Sequence, residues 1–101
     1  MSQHTSLLEA YAKSVCFPDV SGFEILDLLR LRSRIAEVEQ EFTSPDRTAL
    51  EAADAAFLHN AQTLYRHLSE VATLDALREE AHVLPSHWWW YLDSLSRVAV
   101  G

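Results

Sequence analysis

The sequence predicts an all-α fold: a compact bundle of four to five helices, with two long antiparallel helices packed by shorter helices from the N- and C-terminal ends. Apolar residues recur at helical spacing nearly throughout, and the two glycines and three prolines fall where helices begin or end. A chain of 101 residues that is 49% apolar and 23% charged has the size and composition of one globular domain, spanning 1–101.

The first helix is expected from about Thr5 to Val15, opened by a Ser6-to-Glu9 capping box and closed before Phe17-Pro18, with Leu7, Leu8, Tyr11 and Val15 on its apolar side. The second begins at a Ser21-to-Glu24 box, with Val20 placed to staple onto Ile25, and runs to about Phe42. Its seam is Leu28, Leu31, Ile35, Val38 and Phe42 at alternating steps of three and four, widened by Leu26 and Leu29. Thr43-Ser44-Pro45-Asp46 is a stop-and-restart signal: a capping hydroxyl, a proline for the first turn and an acid at the positive end of the helix dipole. The third helix is then expected to reach about Val71 on a stripe of Leu50, Ala53, Phe57, Ala61, Leu64, Leu68 and Val71, and to pair antiparallel with the second. A short helix over Leu74 to about Ala81 follows, and Pro85-Ser86 opens the last one.

Fifteen carboxylates against eight Lys and Arg give a net charge of −7, spread evenly along the chain. Nonspecific DNA binding draws on cations that neutralise phosphates, so nucleic acid is an unfavoured partner and a basic protein a favoured one. The N-terminal MSQHTSLLEAYAKS lacks the basic and continuous apolar regions of a signal peptide. No apolar run of about 18 residues is present to span a bilayer, so the expectation is a cytoplasmic protein with no membrane role. Cys16 is the single cysteine, expected as a buried or half-buried thiol.

The least ordinary stretch is His87-Trp88-Trp89-Trp90-Tyr91-Leu92. On an α-helix each residue turns by about 100°, so these side chains point all the way round the axis. Leu95, Val98 and Ala99 align with Trp88, Tyr91 and Leu92 on the inward side; Ser86, Asp93, Ser94 and Arg97 fall opposite, with Trp90 among them and Trp89 on the flank. Two outcomes are open: a loop or the N-terminal segment covers Trp89 and Trp90 as peripheral core, or the indoles form a contact surface of the kind tryptophan dominates at interfaces. The second is preferred. It makes Trp89, Trp90, His87, Asp93 and Arg97 the partner-binding residues, for a protein partner or a homodimer.

Residues 73 to about 92, TLDALREEAHVLPSHWWWYL, give a short helix, a turn at Val83-Leu84-Pro85-Ser86 and a second helix, an outline that resembles the helix-turn-helix of winged and repressor-type families. The resemblance implies DNA binding by a regulator using residues 73–97. The sequence departs from the pattern in placing His82 at the usual turn glycine and Trp89, Trp90 and Asp93 on the recognition face, in place of the Arg, Asn or Gln that read base edges.

Other motifs point to bland roles. His59 and His67 stand eight residues apart, and no i,i+4 histidine pair or HExxH pattern occurs, so no metal or cofactor is expected. His82 and His87 bracket the proline turn and are the residual candidates for a metal or general base. Glu37, Glu39, Glu41 and the Glu79-Glu80 pair look like solvated faces, and Arg30, Arg32 and Arg34 fan out to different sides, with Arg30 and Arg34 at i,i+4 best explained by intramolecular pairing. No nucleophile elbow, P-loop, dinucleotide fingerprint or EF-hand loop is found. The expected function is therefore a non-enzymatic protein-interaction module, a regulator, adaptor or antitoxin-like inhibitor acting through the Trp-rich C-terminal helix, with the DNA-binding regulator as the alternative.

Overall fold

A computed structural model describes residues 4–98. Among them the chain forms six α-helices and no strand: α1 (Thr5–Cys16), α2 (Gly22–Val38), α3 (Ser44–His59), α4 (Ala61–Ser69), α5 (Leu74–Ala81) and α6 (Leu92–Val98). Single 3₁₀ turns sit at Glu39–Glu41 and Trp88–Trp90. Ala99, assigned to the inward side of the last helix, lies outside the described residues.

One of the two expected capping boxes forms, and the expected Thr43 cap proves to be a box as well. The Ser21 N–H donates to Glu24 Oε2 at 3.1 Å and the Glu24 N–H to Ser21 Oγ at 3.3 Å. Thr43 and Asp46 repeat the exchange at 3.1 and 3.4 Å, with Pro45 in the first turn of α3. Each box satisfies two backbone donors that a helix start leaves without partners. The Ser6-to-Glu9 box does not form, because α1 starts a residue before Ser6 with His4 as its N-cap. A tertiary contact sets that start: the His4 ring tilts against Phe42, centroids 5.7 Å apart.

The expected third helix is two helices. Asn60 adopts φ −99°, ψ 10°, and its side-chain Nδ2 donates to the Val15 carbonyl at 2.8 Å. The amide thereby satisfies a carbonyl at the end of α1, and the helix is interrupted where it does so.

The expected antiparallel pairing of the second and third helices is kept mainly in its α4 part, while α1 lies along α3. Backbone packing is closest between α1 and α3, α4 and α6, α2 and α4, and α1 and α2. His4 meets Phe42, Tyr11 meets Asp54, and Val15 meets Asn60, so α1 and α3 run in the same direction. Gly22 lies against His67 and Val71 while Arg32 meets Asp54, so α2 runs antiparallel to the α3–α4 ridge. At Gly22 the two backbones almost touch. A Cβ there would run into the His67 carbonyl oxygen and into Val71 Cγ2.

The core follows most of the predicted stripes on α1 and along α3–α4, where Leu8, Tyr11, Val15, Leu50, Ala53, Phe57, Ala61, Leu64 and Leu68 are buried; Leu7 is half-buried, and Val71, past the end of α4, is exposed. On α2 the buried stripe is rotated from the predicted seam: Ile25, Leu28, Leu29, Arg32 and Ile35 are inside, while Leu31 and Val38 are half-buried. Arg32 therefore stands in the middle of the core face. Cys16, expected inside, is exposed at the last turn of α1, where Val15 already occupies the inward position. No described helix is long and apolar enough to cross a membrane.

Candidate functional site

The tryptophan run does not lie on an α-helix. After α5, His82 takes a left-handed conformation, φ 50°, ψ 51°, while the Val83 N–H bonds back to the Arg78 carbonyl at 3.2 Å and the His82 N–H to that of Glu79 at 3.3 Å. This closes α5 in a Schellman-type cap with histidine at the position that favours glycine. The chain then turns through residues 83–87 and enters the 3₁₀ turn, held by Trp90 N–H to His87 O at 3.2 Å and Tyr91 N–H to Trp88 O at 3.1 Å. The last helix begins at Leu92 rather than at Pro85-Ser86.

That change of backbone overturns the expected exposure of the indoles. Trp89 is 2% exposed and Trp90 4%, both inside the same chain. Their Nε1–H groups donate to one acceptor, Ser33 Oγ on α2, at 3.0 and 2.8 Å. Trp88 packs edge-on against Phe57 at 5.4 Å and against Trp89 at 5.5 Å. Trp89 and Trp90 are buried and Trp88 half-buried because Ser33 on α2, Phe57 on α3 and the His87 ring cover the turn from different sides; at about 120° per residue the turn itself still spreads the three rings round its axis.

At the centre of this packing lies Arg32, 4% exposed. Its Nε and one terminal nitrogen form a fork on Asp54, at 3.0 Å to Oδ1 and 3.1 Å to Oδ2. The guanidinium carbon lies 4.3 Å from the Trp89 ring centroid, 5.7 Å from Trp88 and 5.9 Å from Tyr11. A buried cation is tolerated only when paired, and here a carboxylate and three ring faces surround it. Tyr11 donates its hydroxyl to Asp54 Oδ1 at 2.5 Å. Burial, and then the adjacent Asp54 acceptor, push the Tyr11 hydroxyl well above the usual phenol range, so it stays a donor. The remaining Arg32 nitrogen faces Glu39 at 3.9 Å without a hydrogen bond.

The other residues expected to bind a partner are dispersed. His87 is half-buried and stacks on Trp89, centroids 4.5 Å apart. Asp93 accepts two bonds from Arg78, at 3.0 and 3.2 Å, and Arg78 also donates to the Trp90 carbonyl at 3.1 Å and to Asp75. The Arg78 hydrogen bonds are the first reason the Asp93 carboxyl is held below its ordinary value; they outweigh the opposing effect of burial. Arg97 is exposed on α6. The five residues thus form no common face. Residues 82–91 separate α5 from α6, far more than the three to four residues of a helix-turn-helix turn, and Arg78 is engaged within the chain.

Sequence patterning missed Arg32, Asp54, Ser33 and Arg78. One signal was present: Arg32 lies at i+7 from Ile25, i+4 from Leu28 and i−3 from Ile35, in phase with the core.

Two surfaces remain. The first is the α1–α2 end, where Phe17 and Phe23 are each 67% exposed on either side of the turn. Beside it, a groove of about 240 Å³ is lined by Ser14, Glu24, Asp27, Leu28 and Leu31. The second is a cleft of about 320 Å³ between α2 and the 81–90 segment, adjoined by a hollow of about 280 Å³ that shares Arg30, Ala81 and Trp90 with it. Among the described residues no group of three His, Cys, Asp or Glu is placed to hold a metal ion. The chain matches no protein-family model, no curated protein and no solved structure.

Proposed function

We propose that this domain is an acidic protein-binding module whose contact face is the α1–α2 end, and that its partner presents a basic, apolar segment. The observation that carries this is the pair of phenylalanines left outside by a chain that buries Trp89 and Trp90. Phe17 lies one turn beyond Ser14, and Phe23 one turn before Asp27, at the end of a groove with leucines in its lining and carboxylates from Glu24 and Asp27. Covering two side chains exposed to this degree contributes on the order of 3 kcal/mol each before the costs of association. The groove suits the aliphatic stem and cationic head of a lysine or arginine. A net charge of −7 disfavours a second copy of the chain and steers a basic partner in.

The test is an NMR titration with a helical peptide that alternates lysine and leucine faces. Saturable shifts confined to residues 14–31, weakened by salt and lost in Phe17→Ser/Phe23→Ser, support the module. Equal binding by the double variant contradicts it, as does a wild-type dimer formed through this face.

A further inference from the structure

We infer that the cleft between α2 and the 81–90 segment is a binding site for a free apolar α-amino acid, held as its zwitterion. It lies apart from the α1–α2 groove. Its lining includes Arg30, Ser33, Glu37, His82, His87 and Trp90, and its volume of about 320 Å³ falls at the lower end of the range for small-molecule sites.

Ser33 fixes the polarity of the cleft. A hydroxyl has two acceptor positions and one proton, and both acceptor positions are occupied by the Trp89 and Trp90 indole N–H groups. Toward a ligand Ser33 can only donate. Arg30, one turn earlier on α2, is also donor-only; it is exposed and held only loosely by Asp27 at 3.7 Å. Glu37, one turn after Ser33, supplies the opposite charge. Along one face of α2 the order is therefore cation, hydroxyl donor, anion, with the Trp90 ring beside them. A carboxylate meets Arg30 and Ser33, an ammonium meets Glu37, and an apolar side chain lies on Leu84, the exposed apolar residue of the lining. A simple anion would leave Glu37 repelling it, and a simple cation would leave Arg30 and Ser33 unmatched.

The backbone supplies an independent observation. His82 alone among the described residues has a positive φ, at a helix end where glycine is favoured, and its side chain lines this cleft. The cap favours glycine, and the histidine in its place sets an imidazole in the lining of the cleft. The imidazoles of His82 and His87 make no hydrogen bond within the described chain, which leaves them available to the carboxylate.

The experiment is an NMR titration of the full chain with L-phenylalanine, read at residues 30–37 and 82–90. A ligand of this size predicts a dissociation constant of about 0.1–1 mM. Arg30→Gln and Glu37→Gln alter exposed side chains and should each weaken binding about tenfold, a loss typical of one charged contact. N-acetylphenylalanine and phenylalaninamide, each lacking one charge, should bind wild type as weakly. His82→Gly should raise thermal stability while lowering affinity, which separates a binding role from a folding role. The inference is overturned by absence of saturable shifts up to about 10 mM, by N-acetylphenylalanine binding as well as phenylalanine, or by unchanged affinity in Glu37→Gln. None of these outcomes bears on the phenylalanine-flanked groove.

Discussion

Arg32 and Asp54, twenty-two positions apart, meet in a two-bond fork inside the bundle, so that the buried guanidinium is neutralised by a carboxylate that also accepts from Tyr11. Removing one partner of such a pair leaves an uncompensated buried charge, whereas removing both leaves only a packing defect. Asp54→Ala should therefore cost about 3–5 kcal/mol. The double variant Arg32→Met/Asp54→Ala should recover part of that loss. Urea unfolding of the three proteins measures the difference.

Ser33 satisfies two indole N–H groups with one oxygen. Ser33→Ala leaves both donors buried without an acceptor and should destabilise by about 2–4 kcal/mol. That is much more than a half-buried serine-to-alanine change on a helix ordinarily costs. Thermal unfolding of the variant checks it.

Gly22 and His82 should respond in opposite directions. Gly22→Ala drives a methyl group into the His67 backbone, which cannot rotate away, and should cost about 1–3 kcal/mol. His82→Gly relieves a left-handed backbone and should gain about 0.5–1 kcal/mol. Both shifts are measurable as changes in Tm.

The Arg78–Asp93 pair carries a pH dependence of definite sign. Because the folded state holds the Asp93 carboxyl below its ordinary value, the pair contributes stability above that value and loses it as pH falls through the lowered one. Asp93→Asn should be less stable than wild type by about 1 kcal/mol near neutral pH, and the gap should close as pH falls below the ordinary carboxylate range. Unfolding curves at several pH values follow the gap.

These relationships show which parts of the molecule local pattern can reach. The Ser21 and Thr43 caps and the Leu50-to-Leu68 stripe depend on neighbours within a turn or two, and they form as read. Asn60 ends α3 because of a carbonyl on α1, forty-five positions away. The tryptophans turn inward because Ser33 and Arg32 await them on α2, more than fifty positions away. Rotation by 100° per residue presupposes an α-helix, and the cap at His82 and the 3₁₀ turn remove that premise. Arg32 reads as one of three arginines that fan out to different sides, and only its phase along α2 marks it as a core position. The exposed Phe17 and Phe23 lie at a turn that helical periodicity does not rank.

The inward placement of the tryptophan run is tested most directly by hydrogen exchange of the indole Nε1–H groups, followed by NMR. With both protons of Trp89 and Trp90 buried on Ser33, they should exchange only through large-scale opening, at rates close to the slowest core amides of α2 and α4. Exchange at the rate of a free indole would mean that the run faces solvent, and would contradict the account.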